Sequence, residues 1–205
     1  IATSITLRIL RQPEAVAVLL ADFGSMEAAG EAVRAVTAAG LLPAGMEIMD
    51  NFTIRAVDSM LDQELYPVDA AAALLIELDG SGPEVEIAMQ LCDVLCRQAG
   101  ARQVQKATSA EDRARLWLGR KSAISALGRL YPNYYLQDGV VPRSSLPMVL
   151  AAIDQLSQKH QLPVANVFHA GDGNLHPLIL YNGAELGVKD RVKAFGAAFL
   201  RLCVD

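Results

Sequence analysis

The chain has 205 residues, 52% hydrophobic and 5% aromatic, and a formal net charge of -5. That length buries a real core in one large or two small domains. Its acidic balance, with Lys and Arg scattered, offers no basic stripe for phosphate backbones and no stacking platform for bases, which argues against nucleic acid as a partner. The longest apolar run, "VDAAAALLIEL", falls short of the roughly 18 residues of a spanning helix, so a soluble chain without a transmembrane segment is expected. It opens on Ile1 with no basic-then-apolar leader, and is expected to be a piece of a longer protein.

In chain order, "ITLRIL" (5–10) and "AVAVLLADF" (15–23) read as strands. A helix opening on Ser25 and stopping at Gly40 follows, with Ala28, Ala32 and Val36 at helical spacing. Then come a strand over 44–50, a helix over 51–61 capped by Asn51, a strand over 71–80, and a helix over 83–100 with Pro83 near its start. A strand at 101–107 leads into a long helix from Ser109 to Leu130. Residues 134–142 read as strand, 144–160 as helix, 162–170 and 175–181 as paired strands, and 185–205 as a last helix. Strands alternating with single helices predict an α+β fold built from ferredoxin-like βαβ units, its sheet covered by helices on one face. No Gly/Ser/Pro-rich linker divides the chain, so residues 1–205 are expected to form one domain, or two small ones fused into a single functional unit.

Three cysteines are too few for a disulfide framework. Cys92 and Cys96, four apart on a helix, are expected to be buried free thiols, and with Cys203 they point to a reducing cytoplasm.

The segment "NVFHAGDGNLHPLIL" (166–180) holds two of the three histidines. Asp-Gly between β-rich runs predicts a two-residue hairpin turn at Asp172 and Gly173, which would set His169 directly opposite His176. Two imidazoles so placed can grip one divalent cation; on spacing alone they are equally a cross-strand pair on a solvated edge. The stretch lacks the Lys and Ser/Thr of a phosphate loop and the acidic ladder of a calcium loop.

"LWLGRKSA" (116–123), "YYLQDGVVPRSSLP" (134–147) and "HAGDGNLHP" (169–177), in that order, resemble the C-terminal domain of FAD-linked oxidases of the vanillyl-alcohol-oxidase type. The nearest branch is that of the FAD-binding subunit of bacterial glycolate oxidase and the D-lactate and D-2-hydroxyglutarate dehydrogenases. The resemblance covers essentially the whole chain, and His-x-Gly-Asp-Gly-Asn-x-His is its specific element. It implies a cap-like half that covers the flavin of an FAD-binding N-terminal half and holds a 2-hydroxy acid, which is oxidised to a 2-oxo acid with hydride transfer to flavin. His169 and His176 become ligands of a divalent metal, zinc, manganese or iron. Asp172 and Asn174 shape the turn rather than react, and Asn174 is the residue expected against the FAD cofactor. The family's third ligand and base lie in a Gly-Glu-His segment, which this chain does not contain. No catalytic residue is therefore expected within it, and the isolated chain is expected to be inactive. Partners implied are the FAD domain of the same protein and an iron–sulfur subunit, with a cytoplasmic location that such subunits could tie to the inner membrane.

On the same resemblance Arg120 matches a position that in relatives holds the substrate carboxylate; the alternative is a solvated Arg paired with Glu111 or Asp112 on its own helix. Arg143 faces the substrate or the flavin domain, or else is a loop-end charge, and Asp138 is either a site or a turn residue. Trp117 reads as packing, Lys121 as exposed, Tyr134 and Tyr135 as half-buried strand residues of which one could line the pocket, and His160 as a helix-end cation. The competing reading of the whole is a non-catalytic metal-binding or subunit-interaction domain that keeps the fold.

Overall fold

The computed structural model describes residues 2–9 and 11–204. Strands are β1 (Ala15–Phe23), β2 (Gly45–Asp50), β3 (Ala72–Gly80), β4 (Ala101–Ala107), β5 (Asn133–Leu136), β6 (Gly139–Val140), β7 (Val164–His169), β8 (Asn174–Leu175) and β9 (Pro177–Tyr181). Helices are α1 (Met26–Ala38), α2 (Asn51–Leu61), α3 (Gly82–Gln98), α4 (Ala110–Leu130), α5 (Leu146–His160) and α6 (Val188–Val204).

The first four strands lie in the order β4-β1-β3-β2, with β3 antiparallel to both β1 and β2 and β4 antiparallel to β1. With α1 crossing from β1 to β2 and α3 from β3 to β4, this is the expected ferredoxin-like arrangement. The sheet continues through β7, antiparallel to β2, to the return arm β8–β9 and the outer arm β5–β6.

Helices cover both faces rather than one. Leu19, Phe23, Ile48 and Leu74 point into a core closed by α1, α3, α5 and α6, where Cys92 and Cys96 are fully buried as free thiols. Val18, Leu20, Met49 and Leu75 point the other way, under α2 and α4. The reason is in β1 itself, which is apolar on both faces apart from Asp22 and leaves neither face fit for water, so a second helical layer is required.

Other local expectations change. Residues 5–9 form no strand, and Leu10 lies outside the described residues. The cap of α2 is Asp50, whose carboxylate accepts from Thr53 N at 2.8 Å, while Asn51 is already helical and its Nδ2 donates to Val68 O and Ala70 O. The strand expected over 134–142 breaks at Gln137 and Asp138. Opposite them stand His176 and Pro177, and a proline has no N–H to give the ladder. The final helix begins at Val188 rather than 185.

Candidate functional site

β7 carries His169 at its end, and the chain turns there through one 3₁₀ turn over Ala170–Asp172. Gly173 follows with φ +69°, where a Cβ would meet Val141 O at 2.2 Å, so this corner admits glycine alone. The loop is therefore longer than the expected two-residue hairpin, and His169 pairs in register with Asn174 instead of His176. The slip is by two residues. Side chains alternate with a period of two, so His176 keeps the face it was expected to have. The two rings meet diagonally, centroids 5.5 Å apart and nearly perpendicular at 86°.

Beneath them lies Glu47, in the middle of β2 and opposite His169 in register. Its side chain is 8% exposed, and its two oxygens are divided between two partners: Oε1 lies 2.6 Å from His169 Nδ1, and Oε2 accepts from Arg120 Nε at 2.8 Å. With the carboxylate as acceptor, a neutral His169 carries its proton on Nδ1 and turns the lone pair of Nε2 outward. Arg120, 13% exposed, is thus neither solvated nor paired with Glu111 or Asp112. Next to it Gly119 lets the Tyr66 ring lie directly on α4, since a Cβ there would stand 2.3 Å from Tyr66 Cε2. The Tyr66 hydroxyl donates to Leu116 O, and burial pushes its pKa up. This contact holds the turn of α4 that bears Arg120.

A cavity of about 230 Å³ opens beside this group, lined among others by Met46, Glu47, Arg143, His169, Gly171 and Asp172. Arg143 donates from Nη1 to Gly171 O at 3.1 Å, leaving other guanidinium donors free to serve an anion. Among the described residues Asn174 Oδ1 and His176 Nδ1 are buried and find no hydrogen-bond partner; Asp138 Oδ1, across the arm, is 3.7 Å from the latter. Behind the site, Asp50 clamps β2 to β7, accepting from Asn166 N at 2.5 Å and Asn166 Nδ2 at 3.1 Å. Burial pushes its carboxyl up to about 6.

The five residues expected at the site therefore converge: Arg120 and His169 through Glu47, His176 and Asn174 through the hairpin, Arg143 through the Gly171 carbonyl. Glu47 escaped the sequence. The available signal was a charge between Met46 and Ile48 in "MEIMD", a strand whose end alone carries a second one, Asp50. Among the described residues, no group of three or more His, Cys, Asp and Glu is arranged to hold a metal ion. Among the described residues, His169 Nε2 and His176 Nδ1 make no protein hydrogen bond. Trp117 packs over Gly45 and donates to Glu77 at 2.6 Å; Lys121 is exposed, as expected. Tyr134 and Tyr135 are about 45% exposed on β5 and do not line the cavity. His160 ends α5, its ring 5.8 Å from that of Phe195.

The chain is 46% identical over its whole length to the glycolate oxidase subunit GlcD of Escherichia coli K12, and 34% identical over 98% of its length to that of Bacillus subtilis 168. It is 30% identical over 95% of its length to a probable mitochondrial D-lactate dehydrogenase of Danio rerio. It spans about two fifths of the length of these curated relatives. Among solved structures, 94% of the chain superposes on 40% of alkyldihydroxyacetonephosphate synthase with TM-score 0.64 at 11% identity. A further 92% match is to 43% of p-cresol methylhydroxylase, TM-score 0.60 at 13% identity. The family of FAD linked oxidases, C-terminal domain, matches residues 12–205, and the chain belongs to that family.

Proposed function

We propose that this chain is the substrate-covering half of an FAD-dependent oxidoreductase that converts a 2-hydroxy acid, glycolate or D-lactate, to the 2-oxo acid. Glu47 carries the reading: one buried carboxylate fixes both the tautomer of His169 and the position of Arg120, and Glu47 and His169 line a cavity that also receives Arg143. Such a site is preorganised for a small anion with a neighbouring hydroxyl. The substrate carboxylate sits between Arg143 and the terminal nitrogens of Arg120, whose Nε is already committed to Glu47. The 2-hydroxyl is directed to His169 and His176.

His169 through Nε2 and His176 would hold a divalent ion, zinc, manganese or iron, which supplies a Lewis acid for the developing alkoxide. Glu47 acts as the outer carboxylate that orients a ligating histidine. FAD, bound mainly by the remaining part of the protein, supplies the hydride acceptor. Asn174, whose amide oxygen has no hydrogen-bond partner among the described residues, is proposed as the residue on this side that meets it. The chain by itself positions substrate and does not turn it over. The full protein is proposed to assemble with partner subunits, an iron–sulfur protein among them, in a reducing cytoplasm compatible with the buried thiols.

The test is an anaerobic absorbance titration of the full-length protein with glycolate, D-lactate and D-2-hydroxyglutarate, before and after chelation. Bleaching of a flavin band by one acid, lost on chelation and in His169→Ala, is expected. A protein with no flavin band refutes the proposal.

A further inference from the structure

Residues 5–9, Ile-Thr-Leu-Arg-Ile, have the composition and alternation of a half-buried strand, yet no strand forms there. Ile5, Leu7 and Ile9 are 73%, 77% and 89% exposed, three large apolar side chains at alternate positions with Thr6 and Arg8 between them. β-branched residues in period two suit a pleated surface with one apolar and one wet face. Scattered singly, exposed apolar residues need no explanation, but an alternating row on an unpaired backbone is a strand edge without its sheet. The segment is not a frayed extension of β1. Pro13 separates them and has no N–H for a ladder; pairing with β3 starts only where Glu14 N donates to Gly80 O.

Two observations say which sheet is missing. The C-terminal domain family begins its match at residue 12, so residues 5–9 lie outside the domain that the rest of the chain forms. The alignment with GlcD nevertheless runs through all 205 residues, while these make up only 41% of that protein. We infer that residues 5–9 are a β-strand of the other part of the full-length protein, pairing with a sheet there and burying Ile5, Leu7 and Ile9 in its core. The inference rests on the reading that a flavin-binding half accompanies this chain. It makes residues 5–9 a part of the other half rather than a loose tether, so that the two halves are joined by a short connection into β1.

Hydrogen exchange followed by mass spectrometry, on the full-length protein and on this chain alone, tests it, with flavin absorbance recorded on the same samples. Amides of residues 5–9 are expected to exchange at least tenfold more slowly in the full-length protein. Equal rates in both would overturn the inference, as would protection in the chain alone that rises with its concentration, which would assign the strand to a second copy. Leu7→Lys is expected to lower the Tm of the full-length protein by several degrees and leave that of the chain alone unchanged; no change in either overturns it. Protection without a flavin band would sustain the inferred strand and refute the proposed oxidoreductase. A flavin band without protection would do the reverse.

Discussion

Replacing Glu47 by Gln removes one charge and almost no volume, and so tests the centre of the site directly. At about 4 Å between charge centres and an effective dielectric near 20, the Glu47–Arg120 attraction is about 4 kcal/mol. Part of this is offset, because the mutant no longer desolvates a carboxylate. Removing one member of a fully buried pair costs about 3–5 kcal/mol. Arg120 keeps 13% of its side chain in solvent, which screens the orphaned guanidinium somewhat. The expected loss is about 2–3 kcal/mol, since the Gln oxygen meets the Arg120 guanidinium without a charge and His169 keeps a hydrogen bond to the amide only by giving up its Nδ1 proton. Urea unfolding of the chain at constant m-value measures this. Glu47→Met with Arg120→Met removes both charges together, and should cost at least about 1 kcal/mol less than the two single changes summed. A Glu47→Gln loss under about 0.5 kcal/mol, or strict additivity in the cycle, would refute the shared-carboxylate account.

Nitrogen NMR of His169 at about pH 8, where a free imidazole is neutral, should find the proton on Nδ1, and a mixture of tautomers in Glu47→Gln; an Nε2–H majority in the parent chain contradicts the geometry. Asp50 is expected to titrate near 6 against an ordinary 3.8, so between these values the folded state holds a proton that the unfolded chain has lost. Stability then falls as pH rises through that window, by at most about 3 kcal/mol, with the contribution fully present below it. A carboxyl carbon titration locates the group, and the pH slope should flatten in Asp50→Asn. Gly119→Ala adds about 1 kcal/mol of helix propensity but places a methyl against the Tyr66 ring, an overpacking worth about 1–3 kcal/mol; a lowered thermal midpoint is expected, and a raised one would mean that Tyr66 moves freely.

Much of the fold was legible because its signals are local. The helix at Met26–Ala38 begins at Ser25 as its spacing predicts, Ser25 accepting from Ala28 N, and Pro83 stands in the first turn of α3. The α+β class, the ferredoxin-like core and the family resemblance carried by "HAGDGNLHP" were all readable from residue order. That "AVAVLLADF" is apolar on both faces, with Asp22 its one charge, already held the information that both faces are covered, although period-two reasoning assigned helices to only one.

What escaped was set by partners distant in sequence. Glu47 and His169 are 122 residues apart, and Glu47 and Arg120 73, so nothing beside either residue in the chain marks the carboxylate that joins them. The exact loop at Asp172 was likewise decided by packing of Gly173 against Val141. An even slip nonetheless kept His169 and His176 on one face. By itself, then, the sequence determined which residue types face the same side, because side-chain alternation and helical spacing are properties of the local backbone. Only the tertiary structure decided which charge meets which, because a buried carboxylate takes its partners from whatever strands and helices the core brings within hydrogen-bond reach.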